Sequence, residues 1–305
     1  MMGLGSILGT GVFVSIGIAA GVTGPSVVLA IVLAGGVALC NAFSSAQLAA
    51  SHPVSGGTYE YGYKYLHSTA GFTAGWMFLC AKCASAATAA LGFAGYLLAL
   101  IGAAGGERWA IPLAAGATGL LTALVLGGIK RSNWVNTAIV AVTLVALASF
   151  VVVGAATAPA GARAHFSPFL APVAGVKEAN PAAPLHGLFY ATALMFVAYT
   201  GYGRIATLGE EVREPRRTIP RAILATLAVS ALLYVAVGVV AVATAGAPAL
   251  AAAVQQKEVA PLTLVARGFA QPWVAPLVAL GAMTAMLGVL LNLILGLSRI
   301  VLAMA

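Results

Sequence analysis

Apolar residues in this chain gather into runs of 19 to 33 positions, about 3–22, 27–50, 69–101, 110–128, 134–154, 186–208, 222–246 and 273–297. A surface helix of a soluble protein would show a stripe with polar residues between. A barrel strand would alternate over roughly 10 residues. Uninterrupted runs near 20 residues are the length that crosses a bilayer as a helix. The pattern predicts an all-α integral membrane protein with about eight transmembrane helices. The third run is long enough to tilt or to begin as an interfacial helix. Two connectors are longer than turns, residues 155–185 and 247–272, and each has room for a short interfacial helix.

Composition agrees. Of 305 residues, 61% are hydrophobic and 7% are charged, against roughly 25% charged in a soluble domain. The chain has seven Glu and no Asp, which weakens metal and acid–base chemistry that relies on Asp. No catalytic or metal-ligating constellation is present, so neither an enzyme nor a cofactor is expected. The net charge of +8 does not point to nucleic acid, because the cations sit mainly in short loops between apolar runs. Lys64, Lys130, Arg131, Arg213, Arg216, Arg217, Arg221 and Arg299 fall on one side, and Arg108, Arg163, Lys177, Lys257 and Arg267 on the other. Eight against five makes the first side cytoplasmic by the positive-inside rule, with the N-terminus inside.

Two runs are interrupted. The first holds Gly3, Gly5, Gly9 and Gly11, in Gly5-Ser6-Ile7-Leu8-Gly9-Thr10-Gly11-Val12-Phe13. Each glycine costs a helix about 1 kcal/mol relative to Ala. Close packing of small residues explains Gly5 and Gly9. The Gly-Thr-Gly triplet at mid-run points instead to an unwound helix, which membranes tolerate only beside a cavity. The N–H groups freed there suit a carboxylate. The sixth run repeats the interruption in Phe196-Val197-Ala198-Tyr199-Thr200-Gly201-Tyr202-Gly203. Broken helices at matching places in two halves mark the binding site of secondary transporters.

These segments resemble the amino acid–polyamine–organocation (APC) permeases. The first-helix signature is followed by Pro53-Val54-Ser55-Gly56-Gly57-Thr58-Tyr59-Glu60-Tyr61, by Gly71 through Trp76, and by Glu210-Glu211-Val212-Arg213-Glu214-Pro215 after the sixth run. Ser298-Arg299 with Ala303-Met304-Ala305 resembles the end of helix eight. The resemblance implies a leucine-transporter-like ten-helix core of inverted repeats, with helices one and six broken. Residues 1–154 would form the first repeat, 155–185 an extracellular loop and 186–305 an incomplete second repeat. It implies alternating-access transport of amino acids across the cell membrane. The substrate carboxylate would meet Gly9, Thr10 and Gly11, near Ser6 and Ile7. Its ammonium would meet the backbone around Phe196, Val197, Ala198, Tyr199 and Gly201.

The chain stops just after the eighth run and begins only eight residues before Gly9. A non-transporting fragment is therefore an alternative expectation, and a channel a further one. The lysine that many proton-coupled members carry in helix five is matched here by Thr143. The coupling ion, H⁺ or Na⁺, stays open. Lys82, well inside the third run, either faces the cavity or snorkels to the interface. Arg204 reads most simply as snorkelling. Glu210, Glu211 and Arg213 form either a cytoplasmic gate or a solvated loop. Cys80 and Cys83 read as small buried packing residues rather than a metal or redox pair, and Asn292 as an interhelical hydrogen bonder. With no Asp and every Glu in a loop or at a run's end, the cavity should favour neutral over cationic amino acids. Aromatic faces at Tyr199 or Tyr202 are the alternative holder for a cation.

Overall fold

The computed structural model describes residues 2–54, 56–102, 107–173, 183–208, 212, 214–255 and 261–305. Helices account for nearly all of them, with no strand among the described residues. Six helical stretches are long and apolar enough to cross a membrane: Gly11–Ser51, Ser68–Leu100, Arg108–Leu126, Ser132–Ala156, Pro215–Val254 and Val274–Met304. The difference from the eight expected runs has a physical cause. Runs one and six are the interrupted ones, and neither contains an unbroken helix of the required length.

The first run comprises α1 (Met2–Ile7), a break at Leu8–Gly9, a π-helical turn (Gly11–Ser15) and α2 (Ile16–Thr23). A short 3-10 turn (Gly24–Ser26) leads into α3 (Val27–Ser51). At about 1.5 Å per residue, the 41 residues Gly11–Ser51 would reach about twice the bilayer core, so the chain must turn within them. It turns at Gly24, whose φ of 69° ends α2. A side chain there would strike the carbonyl oxygen of Ala171.

After α4 (Thr58–Tyr65) come the long α5 (Ser68–Leu100), α6 (Glu107–Leu126) and α7 (Ile129–Ala156). The first long connector carries a 3-10 helix (Ala162–Phe166) and pins itself to the Gly24 turn. Ser26 N–H donates to Phe169 O at 3.0 Å, and Val173 N–H to Gly21 O at 3.0 Å. The sixth run is α8 (Pro184–Tyr199) followed by a 3-10 segment (Thr200–Leu208). α9 (Pro215–Gln255) is bent at Gly246, where φ is 76°. α10 (Pro261–Arg267) fills the second long connector, and α11 (Val274–Met304) completes the described chain.

The most buried elements are α2, the inner face of α3, α9 and α11. The outward faces of α3, α5 and α6 expose Val37, Phe43, Met77, Ile111 and Leu120, as lipid-facing helices do. Cys40, Cys80 and Cys83 are also exposed, which corrects their expected burial. Each lies on an outward face, where a small apolar side chain meets lipid as readily as protein. Among the described residues, no group of His, Cys, Asp and Glu has a metal-holding arrangement.

Candidate functional site

The two breaks lie side by side near the middle of the molecule, and glycines set their separation. A Cβ on Gly11 would strike Cβ of Ala198, and one on Gly201 would strike the carbonyl oxygen of Ser6. Each interrupted segment thus contributes one glycine to the other. Neither glycine has a positive φ. Their requirement is space, not unusual backbone geometry. Close packing and unwinding, posed as rival explanations of the glycines, therefore hold together. Gly5 shows the packing side: its Cβ would come within 2.5 Å of Asn136 Oδ1 and 2.9 Å of Asn292 Nδ2. Those two side chains hydrogen-bond each other at 2.6 Å across α7 and α11, the role expected of Asn292.

Beyond the break the backbone restarts with Val12 and Phe13 N–H both returning to Gly9 O, at 3.2 and 3.4 Å. The N–H groups of Gly9, Thr10 and Gly11 precede these first bonds, where a helix has no acceptor of its own. A π-helical turn such as 11–15 is rare and recurs at functional sites.

A cavity of about 270 Å³ opens at the two breaks. Ser6, Ile7, Gly9, Thr10 and Gly11 line it from the first, and Val197, Ala198, Thr200, Gly201 and Arg204 from the second. α5 adds Lys82, Ser85 and Thr88, and α11 adds Val289 and Leu293. Its volume falls just below the roughly 300–1,000 Å³ typical of drug-sized ligands, a size suited to a small metabolite.

Lys82 resolves in favour of the cavity, since its ammonium donates to Thr200 Oγ1 at 3.3 Å and lies 5.5 Å from the Phe78 ring centre. Arg204 corrects the snorkelling expectation. It is buried, and its Nη1 donates to Ser6 Oγ at 3.2 Å and Val289 O at 3.5 Å. Its aliphatic stem passes Gly296, where a Cβ would come within 3.0 Å.

Phe196, Tyr199 and Thr143 are corrected in the other direction, because none of them lines the cavity. Tyr199 is fully buried. Its hydroxyl donates to Ile31 O at 3.3 Å, so its ring packs between α3 and α9. Tyr202 is buried too and does not line the cavity. Thr143 bonds within the α7–α11 contact, to Ile139 O at 3.0 Å and Thr284 Oγ1 at 3.2 Å. Glu210, Glu211 and Arg213 lie outside the described residues.

One participant escaped the sequence reading. Tyr234 of α9 is fully buried, and its hydroxyl is within reach of both breaks, donating to Ile7 O at 2.7 Å with Ala198 O at 3.4 Å. Its ring packs on Tyr199 at 5.0 Å. The available signal was chemical: a buried tyrosine hydroxyl needs a partner, and broken helices supply free carbonyls.

Residues 1–305 match the amino acid permease family throughout. The chain belongs to that family. It is 42% identical over 312 residues to an uncharacterized transporter of Mycobacterium tuberculosis, covering all of this chain and 64% of the relative. It is 30% identical over 322 residues to a branched-chain amino acid permease of Bacillus subtilis, covering 65% of that protein. It is 29% identical over 328 residues to human cationic amino acid transporter 4, covering 48%. The chain thus spans under two thirds of the length of these permeases. Their family points to a transporter rather than an enzyme.

Proposed function

We propose that this permease is a secondary transporter of amino acids and that the cavity at the two breaks is its substrate site. The observation that carries this is the meeting of both interrupted segments around one cavity of metabolite size. The α-carboxylate accepts from the Gly9–Gly11 amides, at the positive end of a restarting helix. The α-ammonium lies toward the carbonyl end of α8, at Val197 and Ala198. Residues 1–154 and 186–305 act as two repeats, each supplying one broken helix. The protein sits in the cell membrane with its N-terminus cytoplasmic.

Substrates with a second positive charge are excluded. Lys82 and Arg204 already line the cavity, and no Glu does. Tyr199 and Tyr202, the aromatic alternative for holding a cation, are committed to packing. A buried charge without a partner costs several kcal/mol. The names of the relatives include both branched-chain and cationic amino acids, so the lining of this cavity is the better guide. The test is uptake into proteoliposomes by the full-length protein. Saturable uptake accelerated by the same amino acid inside is expected, with alanine or leucine competing better than arginine or putrescine. Better competition by arginine or putrescine overturns the charge argument. Uptake that neither saturates nor shows counterflow overturns the transporter reading.

A further inference from the structure

Two cations around one small cavity exceed what a zwitterion requires. On the proposed reading, the carboxylate is met by backbone amides and the ammonium by backbone carbonyls. That leaves Lys82 and Arg204 unassigned to any substrate group. They come from different elements, α5 and the 3-10 segment after α8, yet both line the same cavity.

The surroundings are neutral but polar. Ser6, Thr10, Ser85 and Thr88 line the cavity through residues that carry hydroxyls. The chain has no Asp, and none of its seven Glu is among the lining residues. Lys82 donates to a neutral hydroxyl at 3.3 Å, longer than the roughly 2.7–2.9 Å of an ammonium on a carboxylate. An ionisable residue at membrane depth is ordinarily paired or functional. Among the described residues Lys82 has no ion pair.

We infer that the cavity selects amino acids with an anionic side chain, and that Lys82 is the residue that recognises the side-chain carboxylate, with Arg204 adding a second fixed positive charge. The inference rests on the amino acid reading above and deepens it. With both lining cations charged, a basic amino acid would raise the charge of the loaded cavity from +2 to +3. A neutral one would leave it at +2, and an acidic one would lower it to +1. Only the last brings an anion to Lys82, which replaces a long bond to Thr200 with a charge-assisted one. The hydroxyls of Ser85 and Thr88, already donating to Ala81 O and Ala84 O of their own helix, retain lone pairs but no spare proton. Selection for a carboxylate therefore falls to the cations.

The test is equilibrium competition on the purified full-length protein, with aspartate, glutamate, alanine, leucine and arginine as competitors. Aspartate or glutamate should bind about tenfold or more tightly than alanine or leucine, on the scale of one hydrogen bond to a charged group. Lys82→Met should reduce this acidic-to-neutral ratio about tenfold, and Lys82→Arg should retain most of it. Neutral amino acids outcompeting acidic ones in the unmodified protein would overturn the inference while sparing the amino acid reading. An unchanged ratio in a folded Lys82→Met protein would overturn the role of Lys82. Absence of binding by every amino acid would overturn both readings together. The rank order in the unmodified protein decides even if Lys82→Met fails to fold.

Discussion

At the scale of single residues, the site depends on atoms that are absent as much as on those present. Gly11 has room for no side chain because Ala198 occupies the space. Gly11→Leu should therefore drive the two breaks apart and abolish substrate binding, lowering affinity by at least about 100-fold for the 1–3 kcal/mol or more that overpacking costs. Uptake should vanish while membrane insertion, followed by surface labelling, stays normal. Tyr234 gives the complementary case. Its hydroxyl donates to Ile7 O on one break and lies near Ala198 O on the other. Tyr234→Phe keeps the ring and removes the tie, so it should destabilise the protein by about 1 kcal/mol and raise KM. Thermal unfolding in detergent and uptake kinetics read the two effects separately. Neither Tyr234 nor Arg204 was legible as a site residue in the sequence. An aromatic in an apolar run reads as packing, and a lone arginine near a run's end reads as snorkelling. Arg204 turns inward for a geometric reason. Beyond Tyr199 the chain winds as a 3-10 helix, at about 120° per residue rather than about 100°. Over the five residues to Arg204 the difference accumulates to roughly 100°.

At the scale of elements, the apolar runs and their interruptions were legible because a bilayer imposes both length and continuity. A glycine cluster at mid-run is costly unless it serves something, so the breaks near Gly9 and Gly201 could be placed. Which side chains face the cavity could not, since that depends on helix rotation around each break. Hence Ser6, Thr10, Val197 and Ala198 line it while Phe196 and Tyr199 do not. The turn between α2 and α3 shows a different element-level device. Gly24 combines a φ of 69° with backbone contact to Ala171, which fastens the long extracellular connector over the turn. Gly24→Val should suffer both the left-handed penalty of roughly 1–2 kcal/mol and loss of that contact. A lowered unfolding temperature and faster proteolysis within 155–173 are the expected outcomes, while Gly36→Ala, where a Cβ meets nothing within 4 Å, should be nearly silent.

At the scale of the whole molecule, the remaining question is which way it stands in the membrane. The polar ends differ in kind. One carries His52, Glu60 and Lys64 in a small cluster, with Lys64 Nζ donating to His52 Nδ1 at 2.8 Å and Glu60 3.8 Å from the same ring. The same end holds Arg216, Arg217 and Arg221 at the start of α9 and Arg299 near the end of α11. The opposite end carries the 3-10 helix with Arg163 and His165, the latter bonded to Ala243 O at 2.9 Å. Positive residues near helix ends resist translocation, so the arginine-rich end should stay in the cytoplasm. Single cysteines at Arg217 and Arg163, both exposed, would report this directly. In intact cells a membrane-impermeant maleimide should label Arg163→Cys at once and Arg217→Cys only after permeabilisation. The native Cys40, Cys80 and Cys83 lie on outward helix faces, in lipid, where a charged reagent reaches them poorly. Replacing them with Ala removes the residual background. Labelling in the reverse order would invert the molecule, placing the α4 cluster and the arginine-rich start of α9 outside.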